Sequence, residues 1–171
     1  MTRYAELAVT TNFSFLRGAS HAQELVAQAK ALGLSAIGIA DRNTLAGVVR
    51  AHLAAKEVGL RLLVGARLVT AEGLELICYP TDRAAYGRLS RLLSEGKMRA
   101  EKGTCHITLD DVIAKADGQV FIAVPPDAPD ADFQARLERL QGLWAGHLYL
   151  AARYSFAGQN REQIARLAEL C

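Results

Sequence analysis

The chain has 171 residues, 51% of them hydrophobic, and a net charge of +2 from 20 basic and 18 acidic side chains. That size and composition bury a real core as one compact domain, and so balanced a charge gives no ground for nucleic-acid binding from net charge alone. Cys78, Cys105 and Cys171 lack CxxC spacing, which argues against a disulfide framework or structural zinc site and fits a reducing cytoplasm.

The opening MTRYAELAVTT lacks the apolar core of a signal peptide, and no apolar run approaches a membrane span, so no membrane partner is expected. Tyr4–Val9 reads as a short strand. Ser20 offers an N-cap with Gln23 at the capping-box position, predicting a helix over His21–Leu32 that Gly33 stops. Ala36–Ala40 (AIGIA) is almost wholly apolar, as in a strand covered on both faces. An amphipathic helix over Leu45–Val58 follows, closed by Gly59.

Leu60–Val69 and Leu74–Tyr79 read as strands joined through Ala71-Glu72-Gly73, with Cys78 a buried thiol in the second. Thr81 caps a helix through Leu93, and Thr108-x-x-Asp111 is a capping box opening Leu109–Ala116. Val120–Val124 is a strand, Pro125–Pro129 a loop, Asp132–Leu143 a helix, Leu148–Ala152 a strand, and Asn160–Leu170 a helix capped by Asn160. Such alternation means βαβ units and a mostly parallel α/β sheet, which periodicity alone cannot divide between an open sheet and a barrel. Ligand chemistry in such folds gathers at carboxyl strand ends, here Val9–Asn12, Ala40–Asn43 and Gly65–Arg67.

Those three places carry a resemblance. Glu6-Leu7-Ala8-Val9-Thr10-Thr11-Asn12-Phe13-Ser14, Ala40-Asp41-Arg42 and Gly65-Ala66-Arg67 are similar to the ELHxHSxxS, TDH and G-x-E motifs of polymerase-and-histidinol-phosphatase (PHP) domains. The resemblance implies a distorted (βα)-barrel and a trinuclear metal cluster that activates a water and clamps a phosphoryl group. Among the matching positions only Asp41 keeps a ligand type. Ala8 cannot coordinate, Thr10 is a poor neutral ligand, and Arg42 and Arg67 put permanent positive charge where cations should sit. These vestigial positions therefore predict no metal and no catalytic residue. The favoured reading is a salt bridge between Asp41 and one arginine, and the next is anion binding by Arg42 and Arg67.

Longer phrases narrow the family. NFSFLRGASH, ADRNTLAGVVRAHLAAKE, TDRAAYGRLSRLL and GKMRAEKGTCHITLDDV resemble the amino-terminal part of error-prone C-family bacterial DNA polymerases, the second, non-replicative type of polymerase III alpha subunit. The resemblance implies that residues 1–171 form one PHP-like domain, cut short on its C-terminal side, without palm or fingers. The fold would be a partial barrel with an open side, whose exposed strand edge favours self-association or a partner. The implied role is structural and interactive, in damage-induced translesion synthesis. Its implied partners are the remainder of the polymerase, DNA through that protein, and other translesion-synthesis proteins. No cofactor is implied for this chain, and Mg2+ for the parent polymerase.

Other features have plainer readings. Asp130 and Asp132 superficially resemble the paired aspartates of a polymerase palm but suit the start of a helix. Arg83, Arg88, Arg91, Lys97, Arg99 and Lys102 form the most basic stretch, diluted by Asp82, Glu95 and Glu101. A solvated face is its ordinary reading, with nucleic-acid contact through Lys97, Arg99 and Lys102 the alternative. His21, His52, His106 and His147 pair with no second ligand at metal-binding spacing, Ser14 and Ser20 lack a positioned base, and Trp144 anchors its helix to the sheet. Two rivals remain: a divergent phosphoesterase recruiting Glu6, Asp41 and His106, and a phosphate-binding module built on Arg42 and Arg67.

Overall fold

A computed structural model describes residues 3–152 and 160–168. Among the described residues six strands form one sheet in sequential order: β1 (Ala5–Val9), β2 (Ala36–Arg42), β3 (Arg61–Val69), β4 (Glu75–Pro80), β5 (Gln119–Val124) and β6 (Leu148–Leu150). The pairs β1–β2, β2–β3 and β5–β6 are parallel, whereas β4 runs antiparallel to both neighbours. The short Thr70–Leu74 turn forces the first reversal. Between β4 and β5 two helices intervene, and the chain enters β5 at the end where it left β4, with Gln119 opposite Pro80. The result is a mixed α/β half-barrel, with β1 and β6 as its edges.

The helices are α1 (Ala22–Ala31), α2 (Val48–Val58), α3 (Arg83–Met98), α4 (Leu109–Ala114), α5 (Ala131–Leu143) and α6 (Asn160–Ala168). The helix α1 starts one residue later than its cap residue suggests, because the Glu24 carboxylate accepts from the His21 backbone N–H and Ser20 lies outside. Asp82, not Thr81, caps α3 by accepting from Ala85 N at 2.7 Å, and Thr81 donates its hydroxyl to Gly118 O. The Thr108–Asp111 capping box is present as read, and Asp130 caps α5 through Phe133 N. The helix α2 begins at Val48 because Thr44 and its neighbours form a turn first. The Asn160 side chain and residues 169–171 lie outside the described residues.

Side chains alternate across the strands. Ile37 and Ile39 of β2 pack beneath α1 and α2 with Val26, Ala29, Ala51 and Ala55. Leu76 and Cys78 of β4, with Phe121 of β5, pack beneath α3, α4 and α5. Trp144 stacks on Phe121 at 4.1 Å between ring centroids, anchoring the end of α5 to the sheet. The opposite, concave face carries Ala40, Ile77, Tyr79 and Val124, flanked by Leu7, Leu63, Val120 and Ile122.

Tyr79 reaches across this concave face to donate its hydroxyl to Leu7 O on β1. It crosses β3 and β2 above Gly65 and Gly38, where a Cβ would stand 2.5 Å and 2.3 Å from the tyrosine. Those two glycines are the lane in which the ring lies. Burial pushes the Tyr79 phenol well above its ordinary pKa, so it stays a donor.

Candidate functional site

The carboxyl ends of β1, β2 and β3 bring the expected motif positions together, but Asp41 makes no ion pair with either arginine. Asp41 follows Ile37 and Ile39 in the alternation and points to the helix side, where it is 1% exposed. Its carboxylate accepts from Thr11 N at 2.8 Å and Ser14 Oγ at 2.7 Å on one oxygen, and from Thr11 Oγ1 at 2.8 Å on the other. Ser14 Oγ in turn accepts from Arg42 N, and Thr11 Oγ1 accepts from Phe13 N. Asp41 thus ties the loop between β1 and α1 to the end of β2. No room remains around it: a Cβ on Gly47 would lie 2.7 Å from Asp41 Oδ2 and 3.0 Å from Thr11 Oγ1.

Arg42 and Arg67 are register partners on the parallel β2–β3 ladder, one residue out of phase with Asp41, whose own partner is Ala66. Alternation sets both side chains out of phase with Asp41. The expected salt bridge between Asp41 and an arginine does not form. Arg67 pairs instead with Glu75 across the β3–β4 hairpin, at 3.1 Å, and Arg17 approaches the same carboxylate at 4.0 Å. Arg67 Nε is buried without a hydrogen-bond partner among the described residues. Arg42 is exposed and makes no ion pair among the described residues.

The two arginines also line different clefts. Arg67 opens on one with Arg17, Glu72, Glu75 and Arg136, a mixture of both charges. Arg42 lines another, of about 800 Å³, between the β1–α1 loop and the segment joining α3 to α4, together with Phe13, Phe15, Lys97 and Lys102.

Ala8 is exposed at the end of β1, and Thr10 is half-buried beside it. Glu6 is occupied locally, accepting from Tyr4 Oη and from Ala8 N. His106 sits exposed in the α3–α4 segment. Among the described residues no group of three His, Cys, Asp or Glu side chains is placed to hold a metal ion, so Glu6, Asp41 and His106 form no replacement set. One carboxylate already saturated by three donors, with arginines at the neighbouring motif positions, does not fit a multinuclear metal cluster.

Of the basic trio Lys97, Arg99 and Lys102, the middle member is otherwise engaged. Arg99 Nη1 lies 2.6 Å from Asp111 Oδ2, binding the end of α3 to the start of α4. The hydrogen bond from Arg99, then that from Thr108 N, holds the Asp111 carboxyl down at about 2. Lys97 and Lys102 are exposed and make no ion pair among the described residues. Cys78 is buried as read, donating to Gln119 Oε1 at 3.2 Å, and burial pushes its thiol far above the usual range.

Thr11, Ser14 and Glu75 are the partners that motif comparison overlooked. Ser14 is the closing serine of the first motif, and Glu75, opposite Val69 in the hairpin register, lies diagonal to Arg67. Signals for both were present, in the motif itself and in hairpin register.

The PHP domain family model matches residues 6–170. The chain belongs to the PHP domain family. An "Error-prone DNA polymerase" of Caulobacter vibrioides is 54% identical over 168 residues, covering 98% of this chain and 16% of that protein. One of Rhodopseudomonas palustris is 50% identical over 170 residues, covering 96% and 15%. One of Brucella abortus is 48% identical over 174 residues, covering 98% and 16%. These matches agree with the polymerase subgroup indicated by the long sequence phrases, and this PHP domain spans about a sixth of such a protein's length.

Among solved structures, one described as a metal-dependent phosphoesterase from Bifidobacterium adolescentis superposes with a TM-score of 0.70 at 19% identity, covering 99% of this chain and 84% of that one. An amidohydrolase from Chromobacterium violaceum, solved with sulfate and no metal, gives 0.69 at 14% identity, with coverages of 96% and 82%. At such identities they establish the shared fold. No helix among the described residues is long and apolar enough to cross a membrane.

Proposed function

We propose that this chain is the catalytically silent PHP domain of an error-prone DNA polymerase, supplying structure and interaction surface for translesion synthesis in the cytoplasm. The observation that carries the reading is the environment of Asp41. The only vestigial motif position with a metal-ligand side chain is spent as a hydrogen-bond acceptor for Thr11 and Ser14. Activation of a water needs cations, and Arg42 and Arg67 at the neighbouring motif positions oppose cation binding electrostatically.

Support for the parent comes from about 50% identity to error-prone polymerases over nearly the whole chain. Nucleotide transfer, with its Mg2+, belongs in this proposal to the remaining length of the polymerase, which is also the domain's first partner. A phosphoesterase assay on p-nitrophenyl phosphate, with Mn2+ or Zn2+ and then with chelator, tests the reading. Turnover no higher than buffer is expected under every condition. Turnover that chelation abolishes would overturn it in favour of a divergent phosphoesterase.

A further inference from the structure

The cleft of about 800 Å³ over the carboxyl end of β2 is lined on one side by the β1–α1 loop and on the other by the end of α3 and the segment after it. Three of its side chains are cationic, Arg42, Lys97 and Lys102, against a single carboxylate, Glu101. None of the three cations has an ion-pair partner among the described residues. Nearby carboxylates are committed elsewhere, Asp111 to Arg99 and Asp41 to Thr11 and Ser14. An overall charge of +2 is thus concentrated locally into a positive cleft that net charge does not reveal.

The opposite wall is aromatic. Phe15 is 85% exposed, and Phe13, 38% exposed, carries the Arg50 guanidinium over its ring at 5.7 Å. Leaving a phenylalanine in water forgoes burial that a folded chain ordinarily takes. The loop is no loose tether: its base is bound to Asp41 through Thr11 and Ser14, so the rings are presented from a fixed point. Cations that follow a phosphate backbone, facing rings on which bases stack, are the elements by which proteins hold single strands. A duplex offers such rings nothing, since its base faces are already stacked.

From this arrangement we infer that the cleft binds single-stranded DNA, with Arg42, Lys97 and Lys102 on the phosphates and Phe15, backed by Phe13, stacking on a base. The inference rests on the polymerase reading, which brings unpaired template to the domain, and it gives that domain a DNA contact of its own. Arg99, one of the three basic residues singled out in the sequence, falls outside the contact because Asp111 holds it. Arg42 takes its place.

The test is fluorescence anisotropy of a labelled oligothymidylate with the 171-residue chain. Three phosphate contacts predict that log affinity falls against log salt with a slope of about −2, taking roughly 0.7 per contact for single strands. Lys97→Glu with Lys102→Glu should weaken binding about tenfold or more, and Phe15→Ala several-fold, while circular dichroism stays that of the parent because these side chains are exposed. Arg99→Ala should change affinity little.

Equal binding by the parent and the double charge reversal would overturn the inference. So would a duplex that binds as well as the single strand with no loss on Phe15→Ala, or polyglutamate displacing the oligonucleotide at equal charge concentration, which marks an acidic-protein site. Failure to bind in a chain that holds no metal and hydrolyses nothing removes this inference alone. Chelator-sensitive phosphoesterase activity removes the reading beneath it.

Discussion

Asp41 and Arg42 are neighbours in sequence with opposite surroundings: Asp41 is buried against the β1–α1 loop, and Arg42 is exposed and lines the cleft between that loop and the end of α3. This difference decides the chemistry of the strand ends. The one remaining ligand-type side chain is engaged by Thr11 and Ser14, and its charge is held by hydrogen bonds, with no ion pair among the described residues.

Removing that acceptor should be costly. Asp41→Ala strands Thr11 N, Thr11 Oγ1 and Ser14 Oγ in a buried site. Unsatisfied buried donors cost about 1–3 kcal/mol each before relaxation, so a loss of about 3 kcal/mol or more is expected in urea unfolding. Asp41→Asn keeps the volume but turns one acceptor into a donor facing donors, and should lose about 2 kcal/mol. A change within experimental scatter for both would show that the clamp carries no stability.

The packing around the clamp makes a second prediction. Gly47→Ala would force a Cβ to 2.7 Å from Asp41 Oδ2. Overpacking of this kind typically costs about 1–3 kcal/mol. Gly87→Ala is the contrasting case: it lies within α3 with nothing within 4 Å of the added carbon, and should stabilise by about 0.5–1 kcal/mol. Paired denaturation curves of the two variants should move in opposite directions.

The concave face has its own test. Tyr79→Phe keeps the ring in the lane over Gly38 and Gly65 and removes only the hydroxyl that reaches Leu7 O. A loss of about 1 kcal/mol is expected. Faster amide exchange should follow in β1, the strand at the far end of that bond, while β4 itself is unchanged.

Acid should release the bond between α3 and α4. Asp111 has its folded pKa depressed, to about 2, first by the hydrogen bond from Arg99. A depressed carboxylate contributes stability above its unfolded pKa of about 4, and loses it as the pH falls through the folded value. Asp111→Asn should therefore be less stable than the parent at neutral pH, and the gap should close towards pH about 2. The pair is near the surface, so high salt should shrink the gap as well. A gap independent of pH would mean that the capping geometry, not the charge, is what Asp111 supplies.

Much of this was legible in the residues, and the failures have definite causes. The Thr108–Asp111 capping box and the role of Trp144 follow from local spacing and bulk, and both stand in the structure. Local spacing favours Ser20 and Thr81 as caps, but His21 and Asp82 hold those positions, because adjacent polar residues compete and local spacing does not rank them. The helix α3 runs on to Met98 because Gly96 lets it approach Ile107 and Cys105 closely, a contact no local signal reports.

The face on which Asp41 lies was hidden for a different reason. In a strand buried on both sides, the apolar run AIGIA shows no period of two, so nothing in β2 itself says which parity meets the helices. Arg67 with Glu75 required hairpin register, and Arg99 with Asp111 required the path of the chain between two helices. The motif positions identified the family; which of them face one another is a property of the sheet.

The most direct measurement is the metal content of the purified chain after loading with excess Mn2+ or Zn2+ and removal of free ions. Far less than one ion per chain is expected, with Asp41→Asn no different from the parent in metal content. One or more ions per chain, lost on Asp41→Asn, would contradict it and restore Asp41 as a ligand.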